Sequence, residues 1–371
     1  MENVGLNQKG MEMAVRTIIV WGVAILLAGS TILAAAEPTA NIGPPPLKVE
    51  GNRLTTAGGT AVRLQGVNIA SLEWINSGEH VLQSLAVAID DWGVNIIRLP
   101  LAQDRWFGRA KEQNDGGVAY RKLVQEVVQA AAARRCYILL DLHWSDVGVW
   151  GLNIGQHWMP DDNSAAFWEA VASAYANHPA VMFDLYNEPH GVSWEIWRNG
   201  GLVREKSNRK VGGGKTLTER FEYHTPGMQR LLELCRGQGA KNVIVAGGLD
   251  WAYDLSGLLE GHALADPHGS GVVYATHIYP WKKNWDRHVT VVLGKYPVLV
   301  GEVGCRPGGK EEDPKTWAPK VLDYIQLHQL HWTAWDLHPA AGPSLIQDWT
   351  YTPTPYWGVL VKNALRGAAS K

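Results

Sequence analysis

Phenylalanine is nearly absent from this chain, which has 4 Phe against 18 Trp in 371 residues. A core that needed only bulk could use Phe, which brings no polar N–H to satisfy. A surplus of indoles points instead to flat amphipathic platforms, of the kind that stack on the C–H faces of sugar rings. Cysteine is scarce as well, with only Cys136, Cys235 and Cys305. An odd number excludes a fully paired disulfide framework, and no Cys-x-x-Cys pair or clustered His/Cys spacing suggests zinc. Cys136 opens an apolar strand and Cys305 follows one, so both read as small buried hydrophobes. One bridge stays open to an exported protein, with its pairing unassigned. His143 and Asp146 lie close together but lack further ligands at metal spacing, so no catalytic metal and no cofactor are expected. Excess charge is lacking too: 34 Lys and Arg face 36 Asp and Glu, a formal net charge of -2. Nucleic acid as a partner would need a clear basic excess.

Long apolar runs are confined to the first 36 residues. Lys9 and Arg16 precede an apolar run from Thr17 to Leu33, and Ala34-Ala35-Ala36 offers a small-residue cleavage site. This is the anatomy of a secretory leader, and it implies a secreted or periplasmic protein. An uncleaved membrane anchor is the alternative, because the run is nearly long enough to span. Glu2, Lys9, Glu12 and Arg16 balance, so cleavage leaves the net charge unchanged. Residues 37–46 form a short Pro-rich tether, and a single domain is expected over 47–371.

LKVEGNRLTTAGGT (Leu47–Thr60) alternates apolar and polar residues around glycines and reads as a small hairpin. Beyond it one pattern repeats: a short apolar strand, a loop, an amphipathic helix. Strands are predicted at 61–69, 94–101, 137–144, 181–188, 242–251, 272–279, 296–303 and 331–338. Segments such as YRKLVQEVVQAAAARR carry the helical period between them. Thr225-Pro226 is read as an N-cap and first-turn proline for the helix through Leu234. Continuous apolar strands alternating with helices mean a parallel sheet covered on its faces. Eight such units fit an α/β fold, a (β/α)8 TIM barrel with a short N-terminal β-hairpin. The open doubly wound sheet fails for want of a Gly-rich phosphate turn after the first strand.

Active sites of such barrels sit at the carboxyl ends of the strands. Here those ends carry Arg98, His143, Asn187, Glu188, His277, Tyr279, Glu302 and Trp335. A single strand-end His is usually structural and a single Glu usually solvated. Their convergence on one rim is what a purely structural account fails to supply. Glu188 and Glu302 lie on opposite sides of the barrel, and paired carboxylates facing a Trp platform suit glycoside hydrolysis. Trp74, Trp144, Trp150, Trp158 and Trp281 are further cleft candidates.

The motifs RLP, DLHW, LYNEP, HIYP and GEVG, with the late Trp335, resemble glycoside hydrolase family 5 from about Leu47 to Leu365. The resemblance implies a retaining barrel enzyme, endoglucanase-like, with Glu188 as acid/base and Glu302 as nucleophile. It further implies that Asn187 binds the sugar 2-hydroxyl and that Arg98 and Tyr279 hydrogen-bond Glu302. His143 and His277 would orient the sugar and the acid/base, and Trp335 would stack beneath the reacting ring. The implied substrate is a polysaccharide, a β-1,4-glucan, with mannan or xyloglucan as alternatives. A monomer without an obligatory protein partner is expected. A non-catalytic sugar-binding barrel would keep the Trp residues yet lose a catalytic Glu, and both are present.

WRNGGLVREKSNRKVGGGKTLTER is long, Gly-rich and basic, with Arg198, Arg204, Lys206, Arg209, Lys210, Lys215 and Arg220 against Glu205 and Glu219. It reads as a loop on the catalytic face, either a solvated flap or a basic lip for acidic branches of a substrate.

Overall fold

A computed structural model describes residues 43–211, 215–308 and 313–369. The leader and most of the Pro-rich tether lie outside these. Among the described residues no helix is long and apolar enough to cross a membrane.

Among the described residues twelve strands run in chain order: β1 (Leu47–Glu50), β2 (Arg53–Thr56), β3 (Gln65–Asn68), β4 (Ile96–Ala102), β5 (Tyr137–Trp144), β6 (Val181–Asp184), β7 (Gly201–Val211), β8 (Lys215–Thr225), β9 (Ile244–Gly247), β10 (Val272–Ile278), β11 (Val298–Val303) and β12 (His331–Ala334). The helices are α1 (Val81–Asp90), α2 (Gln103–Trp106), α3 (Val118–Ala133), α4 (Asp162–Ala174), α5 (Trp194–Asn199), α6 (Gly227–Gly237), α7 (Trp285–His288), α8 (Pro314–Leu327) and α9 (Gly358–Ala369). Strands β3, β4, β5, β6, β9, β10, β11 and β12 close into a parallel barrel, and β1 pairs antiparallel with β2. The barrel and hairpin follow the sequence pattern, although several strands end early. β6 stops at Asp184 rather than residue 188, so Asn187 and Glu188 sit on the loop beyond it. Pro226 is itself the cap residue of α6, and Thr225 Oγ1 accepts from the Gly227 N–H at 3.3 Å.

Two cores follow from the period of two along each strand. Outward-facing residues pack under the helices in one large cluster. Leu64, Ile96, Leu139, Met182, Val245, Ala275 and Leu299 fill the inside of the barrel with Leu47 and Leu54 of the hairpin against them. The same inward stripe turns polar toward the carboxyl end: Ile96 is followed by Arg98, Leu139 by Asp141 and His143, Met182 by Asp184, Ala275 by His277. An apolar plug thus supports a buried polar layer. Gly66 lets β3 approach β4, since a Cβ there would lie 1.8 Å from the Ile96 carbonyl oxygen.

The basic segment corrects the sequence reading. It contains the end of α5 and then an antiparallel ribbon, β7 paired with β8 from Gly201↔Thr225 to Val211↔Lys215. Arg198 lies on α5, where its Nε donates to the Ala263 carbonyl at 3.2 Å. Arg204 pairs with Glu222 across the ribbon at 2.9 Å, and Glu205 is buried. All three cysteines are buried as thiols.

Candidate active site

Strand register brings the polar layer together. Asn68 of β3 lies opposite Arg98 of β4, and Asp141 of β5 opposite Asp184 of β6. Between β10 and β11 the register slips at Thr276/His277, which sets His277 beside Glu302. Gly301 leaves room for that imidazole, since a Cβ would stand 3.0 Å from His277 Nε2.

Arg98 is the hub. Its side chain is fully buried and donates to Asp184 (2.9 Å), Glu302 (2.9 Å), Asn187 Oδ1 (2.8 Å) and Asn68 Oδ1 (3.1 Å), with Asp141 at 3.0 Å. One guanidinium therefore faces three carboxyl groups. Burial pushes Asp141 up to about 7 and Asp184 well above the carboxylate range, with Arg98 pulling both back down.

The two glutamates differ in surroundings. Glu302 accepts from Arg98 on one oxygen and from the Tyr279 hydroxyl, at 2.6 Å, on the other. Glu188 receives no such pair; its Oε1 lies 3.0 Å from His277 Nδ1. Its side chain is 18% exposed against 5% for Glu302, so Glu188 is the one that can reach a leaving group or water. Burial raises Glu188 to about 7, while His143, Arg98 and Lys282 oppose the rise by charge. Burial likewise lowers His277 to about 3 and His143 to about 4, which keeps both imidazoles neutral. His143 hydrogen-bonds Asp141 at 2.7 Å and stacks on Trp335, centroids 5.4 Å apart and planes 16° off parallel. Glu188, His277 and Glu302 offer ligand atoms within 4.8 Å of one another, a spacing a metal ion could use. Hydrogen bonds account for this spacing, because both Glu302 oxygens already hold donors.

Above these residues opens a cleft of about 910 Å³ walled by Trp251, Trp281, Trp335 and Gln156. All eight residues picked from the strand ends meet on its floor or contact those that do. Among the five further Trp candidates, Trp281 lines the cleft, half exposed and stacked on Tyr279 at 5.0 Å. Trp74 packs against Trp144 and His338, Trp150 against Phe107, and Trp158 against His190.

Sequence reasoning missed Trp251. Asp250, Trp251 and Ala252 are three successive left-handed residues, φ 57°, 59° and 57°. That backbone is costly for residues with a Cβ. The turn wraps the Pro189 carbonyl, which accepts from the N–H groups of Trp251 (3.1 Å) and Ala252 (3.4 Å). Trp251 stacks on His190 at 4.2 Å, and Lys282 lies 5.2 Å from its ring. Lys282 is held by Asp250 at 2.8 Å. Asp141 and Asp184 were missed as well, though each is a carboxylate at an inward position of an apolar strand, which is a readable signal.

A model of the family described as cellulase (glycosyl hydrolase family 5) matches residues 55–341. The major extracellular endoglucanase of Xanthomonas campestris pv. campestris is 25% identical over 334 residues, 79% of this chain and 66% of that protein. Endoglucanase MaCel5A of a Microbulbifer strain is 22% identical, over 84% of this chain and 55% of its own length. An endoglucanase of Paenibacillus polymyxa is 24% identical, over 81% of this chain and 82% of that one. The chain thus spans roughly half to two thirds of the first two relatives. Among solved structures, a β-glucanase from Saccharophagus degradans, seen in native form and with cellotetraose, has a similar fold. Its TM-score is 0.67 at 23% identity, covering 88% of this chain and 94% of that one.

Proposed function

The chain belongs to glycosyl hydrolase family 5, the cellulase family, and from that premise we propose that it is an endo-acting, retaining hydrolase of β-1,4-linked glucan. The observation that carries the reading is the carboxyl pair: oxygens of Glu188 and Glu302 lie within 4.8 Å in contrasting environments. Retaining enzymes hold their carboxyls about 5–5.5 Å apart, and inverting ones about 6.5–9.5 Å, to admit a water. Glu188, kept protonated by burial, gives its proton to the glycosidic oxygen as the bond to C1 breaks. Glu302 attacks C1 from the opposite face and forms a glycosyl ester. Glu188, now a carboxylate, takes a proton from the incoming water, which cleaves the ester and restores both groups. Asn187 contacts the 2-hydroxyl of the reacting sugar, and Trp335 supplies its platform. The named activities of the relatives and the aromatic walls of an open cleft support a glucan chain as substrate. Residues 1–36 are a secretory leader on this reading, in keeping with the Xanthomonas relative, which is named as extracellular. Reducing-sugar release across cellulose derivatives, barley β-glucan, xyloglucan, glucomannan and galactomannan tests the substrate. NMR of fresh product tests the stereochemistry: β anomer first supports retention, α first overturns it.

The basic limb of the kcat/KM profile is expected near pH 7, because activity is present while Glu188 is protonated and lost as pH rises through its raised value. Lys282 opposes that rise by charge, so Lys282→Met should move the limb to higher pH. An unmoved or downward limb would remove Glu188 as the acid.

Trp335 acts mainly in the transition state, so Trp335→Ala should lower kcat roughly tenfold or more, with Trp335→Phe keeping most of the activity. The residue is only 9% exposed and its indole donates to the Ala341 carbonyl at 3.2 Å. Some loss of Tm therefore accompanies the Ala variant. A fall in Tm with kcat unchanged would make Trp335 a packing residue only.

A further inference from the structure

The β7–β8 ribbon is rooted behind the cleft wall. Glu205, 4% exposed, accepts on Oε2 from the Trp158 N–H at 3.0 Å, and its Oε1 lies 3.0 Å from His157 Nδ1. The other His157 ring nitrogen faces the Asn153 carbonyl at 2.6 Å, which can only accept. Both nitrogens thus point at acceptors, the arrangement of an imidazolium paired with a buried carboxylate. The Tyr223 hydroxyl accepts from the Met159 N–H at 3.1 Å and lies 3.2 Å from both the Met159 carbonyl and Glu205 Oε2. Two ribbon side chains therefore pin three consecutive residues, 157 to 159.

The residue just before them is Gln156, which lines the cleft. Its Oε1 accepts from Asn187 Nδ2 at 2.7 Å, and its Nε2 donates to the Glu188 carbonyl at 3.4 Å. Arg98 already holds Asn187 Oδ1 at 2.8 Å. The amide is gripped at both ends, and Nδ2 keeps a second hydrogen for a ligand.

We propose that Gln156 is a positioning residue that fixes the Asn187 amide, and that Glu205 and Tyr223 of the ribbon are the brace that sets Gln156. This rests on the reading of Asn187 as the 2-hydroxyl contact. It replaces the basic lip with a buried root as the part of the ribbon that serves catalysis. Hydrogen bonds to the 2-hydroxyl strengthen in the transition state, so a loosened amide costs kcat more than KM.

The test uses 4-nitrophenyl β-cellobioside and its analogue lacking the 2-hydroxyl on the reacting ring. Gln156→Leu should lower kcat about tenfold on the parent with KM within about twofold, a pattern of lost transition-state contact. The loss should vanish on the 2-deoxy analogue and in an Asn187→Ala background. Additive losses in that background, or equal losses on both substrates, would overturn the proposal while leaving the role of Asn187 intact. An Asn187→Ala enzyme with undiminished kcat would instead remove the Asn187 reading, and this inference with it. Glu205→Gln and the milder Tyr223→Phe should each reproduce part of the Gln156→Leu effect on kcat; full activity in both overturns the brace. Glu205 and Phe221 are cross-strand partners, so an Asn-Gly turn can replace Lys206–Arg220 and keep the root. That truncated enzyme should match the full chain on both neutral and carboxymethylated glucan. A selective loss on the carboxymethylated polymer would restore the lip and overturn the assignment to the root.

Discussion

Glu302→Gln is expected to abolish turnover, on the order of 10⁵-fold in kcat, the scale of loss when a covalent nucleophile is removed. The amide keeps an oxygen for Arg98, and its nitrogen can donate to Tyr279 in place of accepting, so the fold should survive with little change in Tm. A truncated side chain at each glutamate assigns the roles more sharply. With azide and an aryl glycoside of good leaving ability, Glu302→Gly should yield an α-glycosyl azide, because the small anion enters from the face the carboxylate left. Glu188→Gly should yield the β-azide, because the glycosyl ester still forms and azide then replaces water. Exchanged products would reverse the assignments. Near-native hydrolysis by Glu302→Gln would end its candidacy as nucleophile.

The barrel was legible because its strands are apolar on both faces and its helices carry a 3.6-residue period. Glu188 and Glu302 were legible because a carboxylate after an apolar run has no place in a core. Asp141 and Asp184 are less conspicuous because each lies inside an apolar strand rather than after it, and only its inward position, which puts it under Arg98, signals a role. The ribbon was illegible for a different reason. GLVREKSNRKV and KTLTERFEYHT lack a continuous apolar face, and among their residues of described burial only Val203, Glu205, Tyr223 and Thr225, near the root, are buried. Polar strands bounded by glycines look like a loop. Gln156 and Trp251 owe their places to neighbouring turns, one pinned by the ribbon and one wound left-handed around Pro189. No local pattern announces either.

Arg98→Met should cost both stability and activity, and the two losses should separate with pH. Met fills much of the same volume but leaves Asp141, Asp184 and Glu302 without their shared cation. Breaking a buried pair by removing one partner typically costs about 3–5 kcal/mol. The stranded carboxyls can escape part of this by protonation. Burial already holds Asp141 near 7 and Asp184 well above the usual carboxylate range, and the loss of Arg98, which pulls both down, raises them further. A carboxyl whose folded value stands above its unfolded value favours folding at low pH and opposes it as pH rises through the folded value. The Tm deficit of Arg98→Met should therefore be small near pH 4 and should widen toward pH 8. Adding Asp184→Asn should recover part of the stability at pH 8 by removing one stranded charge. It should not recover turnover, since Glu302 and Asn187 would still lack their donor. Arg98→Lys should fare little better, because one ammonium lacks the planar fork that reaches Asp184, Glu302 and Asn187 at once. A deficit constant from pH 4 to pH 8 would show that Arg98 stabilises by packing alone, and the charge argument for the hub would fall.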